Sequence, residues 1–483
     1  MSSKSRFIDS VEPLLRLMPT VPRPSRPVTL GVRLLWSFLA VTVFLLMSVT
    51  PLYGVVVSRT SPLFNPLVAI IFASTNGTLA QLGIGPIIIA GIIMELVVFS
   101  DLMDIDLNDP GDQAKFTALT KLIAVIIAMF EGAFILATGQ LVTPSPLYSF
   151  IVWLQMLFGA VMVIILDDLV SKGWGIGSGI SLFILVSIIR AIFQETFLPL
   201  SPFGNQILGS IPALIAAIYS YFTSHNAAML ESIWYRYNLP GLVGLLATIA
   251  LGAFILYIEL MEVRIPLTLV QYGGYKVSYP FKLMYVSVLP IIFTAYTVAL
   301  IYNGLYFIWS TYNPHNANPW LNAIACIRTV TISGVGPVNE PCVNSLIYYF
   351  TVVPYNITPQ YVVVHVVMYV VLSVLFAYLW VNLAGMSAED QARTMVSSGL
   401  SIPGFRASAR SLAMHLRGYI NSLTFTSGFL AGLIAALGDV LGVYGTGIGL
   451  ILLIEIAIQY YMLAMQEQLF EAYPGLKRIL GIE

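Results

Sequence analysis

The sequence predicts an all-α, polytopic membrane protein with ten transmembrane helices. Three observations lead there. Hydrophobic residues make up 58% of the 483 residues and charged residues only 9%, whereas a soluble domain carries roughly 25% charged residues. Apolar stretches near the ~20 residues that a helix needs to cross a bilayer recur along the whole chain. The basic residues, placed on that layout, segregate to one side of it, as the positive-inside rule requires.

The same composition excludes several functions. A net charge of −1 gives no bulk field for nucleic acid, so no direct DNA binding is expected. Residues 1–30 are polar, basic and Pro-rich, with no apolar core followed by a small-residue cleavage site, so no cleavable signal peptide is expected. Two cysteines are too few for a redox centre, and His225, His315, His365 and His415 are far apart, so neither a metal site nor a cofactor is expected.

Taken in order, residues 8–18 place Ile8, Val11, Leu14, Leu15 and Met18 at helical spacing among charges, which fits a short helix on the membrane surface. Residues 1–30 form the N-terminal segment. Span 1 is expected over about 32–57. The second position is two half-helices, about 63–74 and 82–99, each too short to cross alone and separated at Asn76-Gly77, residue types that stop a helix in the left-handed conformation. Broken helices persist at membrane depth only beside protein or a water-filled cavity. The acidic loop after it, Asp101 to Asp112, lacks the Gly turn and closing Glu of an EF-hand and reads as solvated. Spans 3 to 5 are expected at about 116–139, 147–167 and 176–194. The loop 196–238 holds an apolar helix near 206–222, read as packed on the outer surface. Spans 6 to 10 follow at about 240–260, 281–308, 361–382, 419–438 and 445–466, and 468–483 is a tail.

With the N-terminus cytoplasmic, only Arg59, Arg190, Arg236 and Arg328 of the 22 basic residues fall outside or at the outer rim. Both termini are then cytoplasmic. Cys326 and Cys342 share one outer loop, where an oxidising exterior allows a disulfide; two free thiols are the alternative. Asn356-Ile357-Thr358, also outside, matches a glycosylation acceptor.

No catalytic constellation is present in the motifs. Gly175-x-Gly177-x-Gly179 and Gly445-x-Gly447-x-Gly449 follow no strand, so they read as close helix packing and not as phosphate loops. The in-span charges read from the sequence are Glu95, Glu259, Asp439 and Glu455, all nearer span ends than middles. Proton and ion routes need charge at depth. A pathway through this chain is therefore expected to be gated by apolar side chains.

Several stretches resemble the SecY family, the large subunit of the protein-conducting translocon, in its archaeal form. They are Leu82 to Met94 in the second span, Leu166 to Ile184 opening the fifth, Val263 to Leu267 and Tyr279 to Ser287 before the seventh, and Ile402-Pro403-Gly404-Phe405-Arg406 with Arg417-Gly418-Tyr419-Ile420 before the ninth. The resemblance covers nearly the whole chain. It implies two inverted pseudo-symmetric halves, 31–195 and 239–467, and an hourglass pore whose aliphatic ring is Ile84, Ile88, Ile180, Ile184, Ile292 and Leu450. The pairs Ile84/Ile88 and Ile180/Ile184 share helix faces by spacing. The half-helix over 63–75, with Leu63, Phe64, Leu67, Val68, Ile70 and Ile71, resembles the family's re-entrant plug. A lateral gate between spans 2–3 and 7–8 is implied, which releases signal peptides and apolar segments of nascent chains into the lipid bilayer. The loops 262–280 and 384–416 are implied to dock the ribosome through Arg264, Lys276, Arg406 and Arg410. Implied partners are small single-span subunits of the SecE/gamma and Sec-beta types, and the implied location is the plasma membrane.

Two other classes stand beside this reading. A secondary transporter also uses broken helices near the midplane, but the expected midplane carboxylates are missing. An intramembrane enzyme would need a nucleophile or metal set that the sequence does not offer.

Overall fold

The computed structural model describes residues 18–26, 28–55, 73–99, 110–137, 141–199, 207–224, 227–236, 239–269, 275–286, 288–332, 336–351, 357–401 and 408–472. Among them, nine helices are long and apolar enough to cross a membrane, and the shorter Gly85–Phe99 occupies the second position. The chain divides into two compact units, Met1–Arg190 with Glu455–Glu483, and Ala191–Ile454.

The first unit holds α1 (Leu30–Val49), α2 (Gly85–Phe99), α3 (Pro110–Ala137), α4 (Pro146–Leu169), a π-helical turn (Val170–Trp174) and most of α5 (Gly179–Phe197). The apolar run of span 1 continues to Val57, but α1 stops at Val49, because Pro51 disfavours helical backbone in the residue before it. The segment just after α1 pairs with the turn that precedes α2, forming a short neck. Leu52 N–H donates to the Gly77 carbonyl at 2.9 Å and Leu79 N–H to the Thr50 carbonyl at 3.0 Å. Gly77 takes φ +72°, the left-handed turn expected of it. Gly159 on α4 lets the Leu79 backbone pass, since a Cβ there would collide with the Leu79 carbonyl. The α4–α5 reversal turns on Gly173, at φ +96°. Gly179 packs on Asp167, whose Cα would lie 2.6 Å from an added Cβ. Asp167 also caps α5, accepting from Ile180 N–H at 3.0 Å.

The second unit holds the remainder of α5, α6 (Ser210–Ser224), α7 (Ala227–Ser232), α8 (Leu242–Glu259), β1 (Glu262–Leu269), β2 (Tyr275–Lys282), α9 (Val288–Tyr312), α10 (Pro319–Ile324), β3 (Ile327–Ile332), β4 (Gly336–Pro341), α11 (Leu346–Tyr349), α12 (Pro359–Leu383), α13 (Ala388–Ser397), β5 (Leu400–Ser401), α14 (Ala409–Val440) and the start of α15 (Gly447–Ala472). The strands make an antiparallel sheet in the order β2-β1-β5 and a separate hairpin β3-β4. Three sequence expectations are corrected here. Span 7 begins at Val288 and not near 281, because Val277, Tyr279 and Phe281 alternate with polar residues at the period of a strand. Within the expected loop 262–280, residues 262–269 and 275–282 pair as antiparallel strands. Helix α14 begins about ten residues before the expected 419, since Leu412, Ala413 and Leu416 bury against Ile265, Leu267 and Phe281 of the sheet.

Helices α12 and α14 pack backbone to backbone. Gly428 and Gly432 let the backbones approach: an added Cβ would lie 2.8 Å from Val374 Cα and 2.7 Å from Val370 Cα, respectively. With Ala436 they form a small-residue stripe at four-residue spacing, the usual solution where lipid supplies no hydrophobic force between helices. Gly447 meets the Ala435 backbone in the same manner, so the second glycine motif serves close packing.

Candidate functional site

All six expected ring residues lie at the starts of helices. Ile84 immediately precedes α2, and its carbonyl accepts from Ile87 and Ile88 N–H at 3.1 Å. Ile180 and Ile184 occupy the opening turns of α5, Ile292 that of α9 and Leu450 that of α15. Ile84, Ile88, Ile184, Ile292 and Leu450 are buried and Ile180 is half-buried. The plug residues Leu63, Phe64, Leu67, Val68, Ile70 and Ile71, together with Arg406 and Asn356, lie outside the described residues.

The sheet presents a polar face. Along β1, Glu262 and Arg264 point out while Ile265 and Leu267 are fully buried. Register pairs Arg264 with Pro280 and Thr268 with Lys276, which puts Arg264 and Lys276 on one face. Arg264, Lys276 and Arg410 are exposed. Arg264 lies 3.8 Å from Glu262, an exposed pair that holds the guanidinium weakly. Tyr285 closes the back of the sheet by donating to the Met386 carbonyl at 2.9 Å.

Cys326 and Cys342 form a disulfide at the base of the β3-β4 hairpin. Cys342 N–H donates to the Cys326 carbonyl at 2.9 Å, so the bridge continues the hairpin ladder by one pair. An asparagine network braces the base: Asn316 Nδ2 donates to the Ile327 carbonyl at 2.8 Å and Asn313 Nδ2 to Asn322 Oδ1 at 2.7 Å.

The sequence reading missed several buried polar groups. Asp168 is a hub: it pairs with Lys121 of α3, with Lys172 at 2.9 Å, and accepts from Val21 N–H at 2.7 Å. Lys172 and Trp174 then donate to the Val21 and Pro22 carbonyls, both at 2.7 Å, which ties the N-terminal arm down. Gln155 of α4 grips the neck by accepting from Tyr53 N–H at 2.9 Å and donating to its carbonyl at 3.0 Å. The Arg190 guanidinium reaches Ser48 and Thr75. Glu131 in α3 and Glu195 in α5 add carboxylates to the in-span list; Glu195 accepts from Gly445 N–H at 2.9 Å. Glu131 falls inside the expected span 3, where a residue-by-residue scan would have found it, whereas Glu195 lies one residue past the expected end of span 5 at 194 and Asp168 one residue past that of span 4 at 167. Among the described residues, no group of three or more His, Cys, Asp or Glu is placed to hold a metal ion.

The spans, the paired neck before α2 and the sheet with its exposed polar face define a multi-pass membrane protein, with the expected ring residues at the starts of helices. The chain belongs to the SecY family, whose model matches residues 78–461. It is 39% identical to the protein translocase subunit SecY of Saccharolobus solfataricus over 98% of this chain and 99% of that protein. It is 31% identical to the Sec61 subunit alpha of Dictyostelium discoideum, over 96% and 97% of the two chains. Among solved structures, a protein-conducting channel superposes with a TM-score of 0.73 at 28% identity over 96% and 98% of the two chains. Sec61 in the canine ribosome–channel complex from the endoplasmic reticulum superposes with a TM-score of 0.71 at 27% identity over the same shares.

Proposed function

We propose that this chain is the channel subunit of a membrane protein translocase, moving secretory polypeptides across the bilayer and releasing signal or transmembrane segments sideways into lipid. The observation that carries this reading is the likeness, over nearly the full length of both chains, to solved protein-conducting channels. In this reading the constriction is carried by Ile84, Ile88, Ile180, Ile184, Ile292 and Leu450. Aliphatic side chains shed water, so the resting channel excludes ions, and they make no fixed hydrogen bonds with whatever passes. The halves 31–195 and 239–467 act as the two valves, and residues 63–75 seal the outer funnel at rest. Sideways release is driven by burial of the released segment in lipid, at about 0.8 kcal/mol per CH₂.

The polar face of the sheet is the ribosome dock, with Arg264, Lys276, Arg406 and Arg410 supplying the charge that phosphate-rich RNA attracts. In this reading the sheet and both termini face the cytoplasm and the chain lies in the plasma membrane. Small single-span subunits of the SecE/gamma and Sec-beta types complete the complex. The role is conduction, which needs no catalytic residue or cofactor.

Sedimentation with ribosomes tests the dock. Arg264→Glu combined with Arg406→Glu should weaken binding while the protein elutes unchanged on size exclusion; undiminished binding removes these residues from the dock. Co-purification tests the assembly. The tagged chain should bring down one or two small single-span proteins, and their absence would favour the small-solute carrier.

A further inference from the structure

Helix α6 is amphipathic in an inverted sense. Its inward strip is small, with Ala213 and Ala217 buried, and its outward strip is large and apolar: Phe222 is 74% exposed, Tyr219 70% and Ile215 62%. No charged residue occurs between Ser210 and Ser224. Helix α13, also short and in the same unit, shows the ordinary arrangement: Ala388, Ala392 and Met395 face inward while Glu389 and Arg393 face out. Water explains α13. It does not explain α6, whose outward face would leave two aromatic rings and an isoleucine in solvent.

The level of α6 in the molecule is fixed by its attachments. Gly209 N–H, at its start, donates to the Leu198 carbonyl at 2.8 Å, just past the end of the spanning α5. The Arg236 guanidinium gathers the Ile207, Leu208 and Pro240 carbonyls, the last beside the start of the spanning α8. The helix therefore begins where two membrane crossings end, at the end of α8 away from the β1-β2 hairpin. Phe197 and Tyr235, exposed at the same level, supply the aromatic residues that mark a membrane–water boundary. At about 1.5 Å per residue its fifteen residues reach about 22 Å, too short to cross.

We propose that α6 lies in the bilayer interface, its Ile215, Tyr219 and Phe222 face sunk into the boundary between headgroups and acyl chains, as a lateral anchor for the segment joining α5 to α8. The occupant of this face is lipid.

Site-directed spin labelling tests this on the full chain in vesicles of phosphatidylcholine and phosphatidylglycerol. Both native cysteines are bridged, so an introduced cysteine is the sole labelled thiol. Nitroxides at Phe222→Cys and, separately, Tyr219→Cys should be relaxed by oxygen and shielded from an aqueous nickel chelate, matching a lipid-facing reference at Leu246→Cys. Two results overturn the proposal: nickel access equal to that at Trp320→Cys on exposed α10, which means a water-facing helix, or shielding from both reagents, which means a second copy or a partner protein covers the face.

Discussion

His365 Nε2 stands 3.7 Å from Asp439 Oδ2, linking α12 to the end of α14, and both side chains are fully buried. The ring of His365 lies between Tyr361 and Tyr369, with centroids 5.0 and 4.5 Å away. The other Asp439 oxygen accepts from Gly447 N–H at 3.2 Å, so one carboxylate joins the α12–α14 pair to the start of α15. Removing the Asp439 side chain leaves the buried Gly447 N–H without its acceptor, which typically costs about 1–3 kcal/mol. Asp439→Ala should therefore lower the apparent melting temperature in detergent sharply. Asp439→Asn, which keeps an acceptor for Gly447, should lower it less. Equal melting of all three proteins would show that the Asp439–Gly447 bond carries no stability.

The disulfide between Cys326 and Cys342, sixteen residues apart, closes the β3-β4 loop. A cross-link of this span contributes about 3 kcal/mol by restricting the unfolded chain. The double variant Cys326→Ser, Cys342→Ser should melt lower and be cut faster by protease within residues 327–341. Reductant should reproduce both effects in the unaltered protein and have none on the variant.

Ile84→Gly with Ile180→Gly should let the resting channel conduct ions in planar bilayers, because a wider, less apolar constriction wets. Conductance equal to that of the unaltered protein would take these two residues off the constriction.

Tyr285 is pushed up to about 12, first by burial and then by neighbouring Tyr279. The unfolded side chain ionises near 10. The folded protein keeps its proton longer, so the stabilisation from this tyrosine is complete below about pH 10 and is lost as pH rises through about 12. Tyr285→Phe should cost about 1 kcal/mol at neutral pH, through the lost bond to Met386. It should also flatten the alkaline fall in melting temperature. An identical alkaline profile in the variant would assign that fall to other groups.

The spans were legible because hydrophobic length is a strong signal, and Gly77 was legible because few residue types tolerate positive φ. The cysteine pairing was left open by spacing and closed by the structure. What the sequence concealed were features set by tertiary contact. The strand over 275–282 sits beside an apolar stretch that blurs its alternation, and the α14 extension is apolar on one face only, which averaging over a window dilutes. The Asp168 hub joins distant residues 21 and 121 to the local pair 168 and 172, and no local pattern encodes the distant contacts. The ring residues illustrate the converse: nothing distinguishes Ile180 from other isoleucines in the spans except its likeness to a family pattern.

Helix α14 is 32 residues of continuous helix, about 48 Å long at ~1.5 Å per residue. Its first turns share a core with the sheet and its later turns are pressed backbone-to-backbone on α12. The sheet and the membrane bundle are thus bolted to one stiff rod. A load applied to the hairpin is therefore expected to reach α12 through α14.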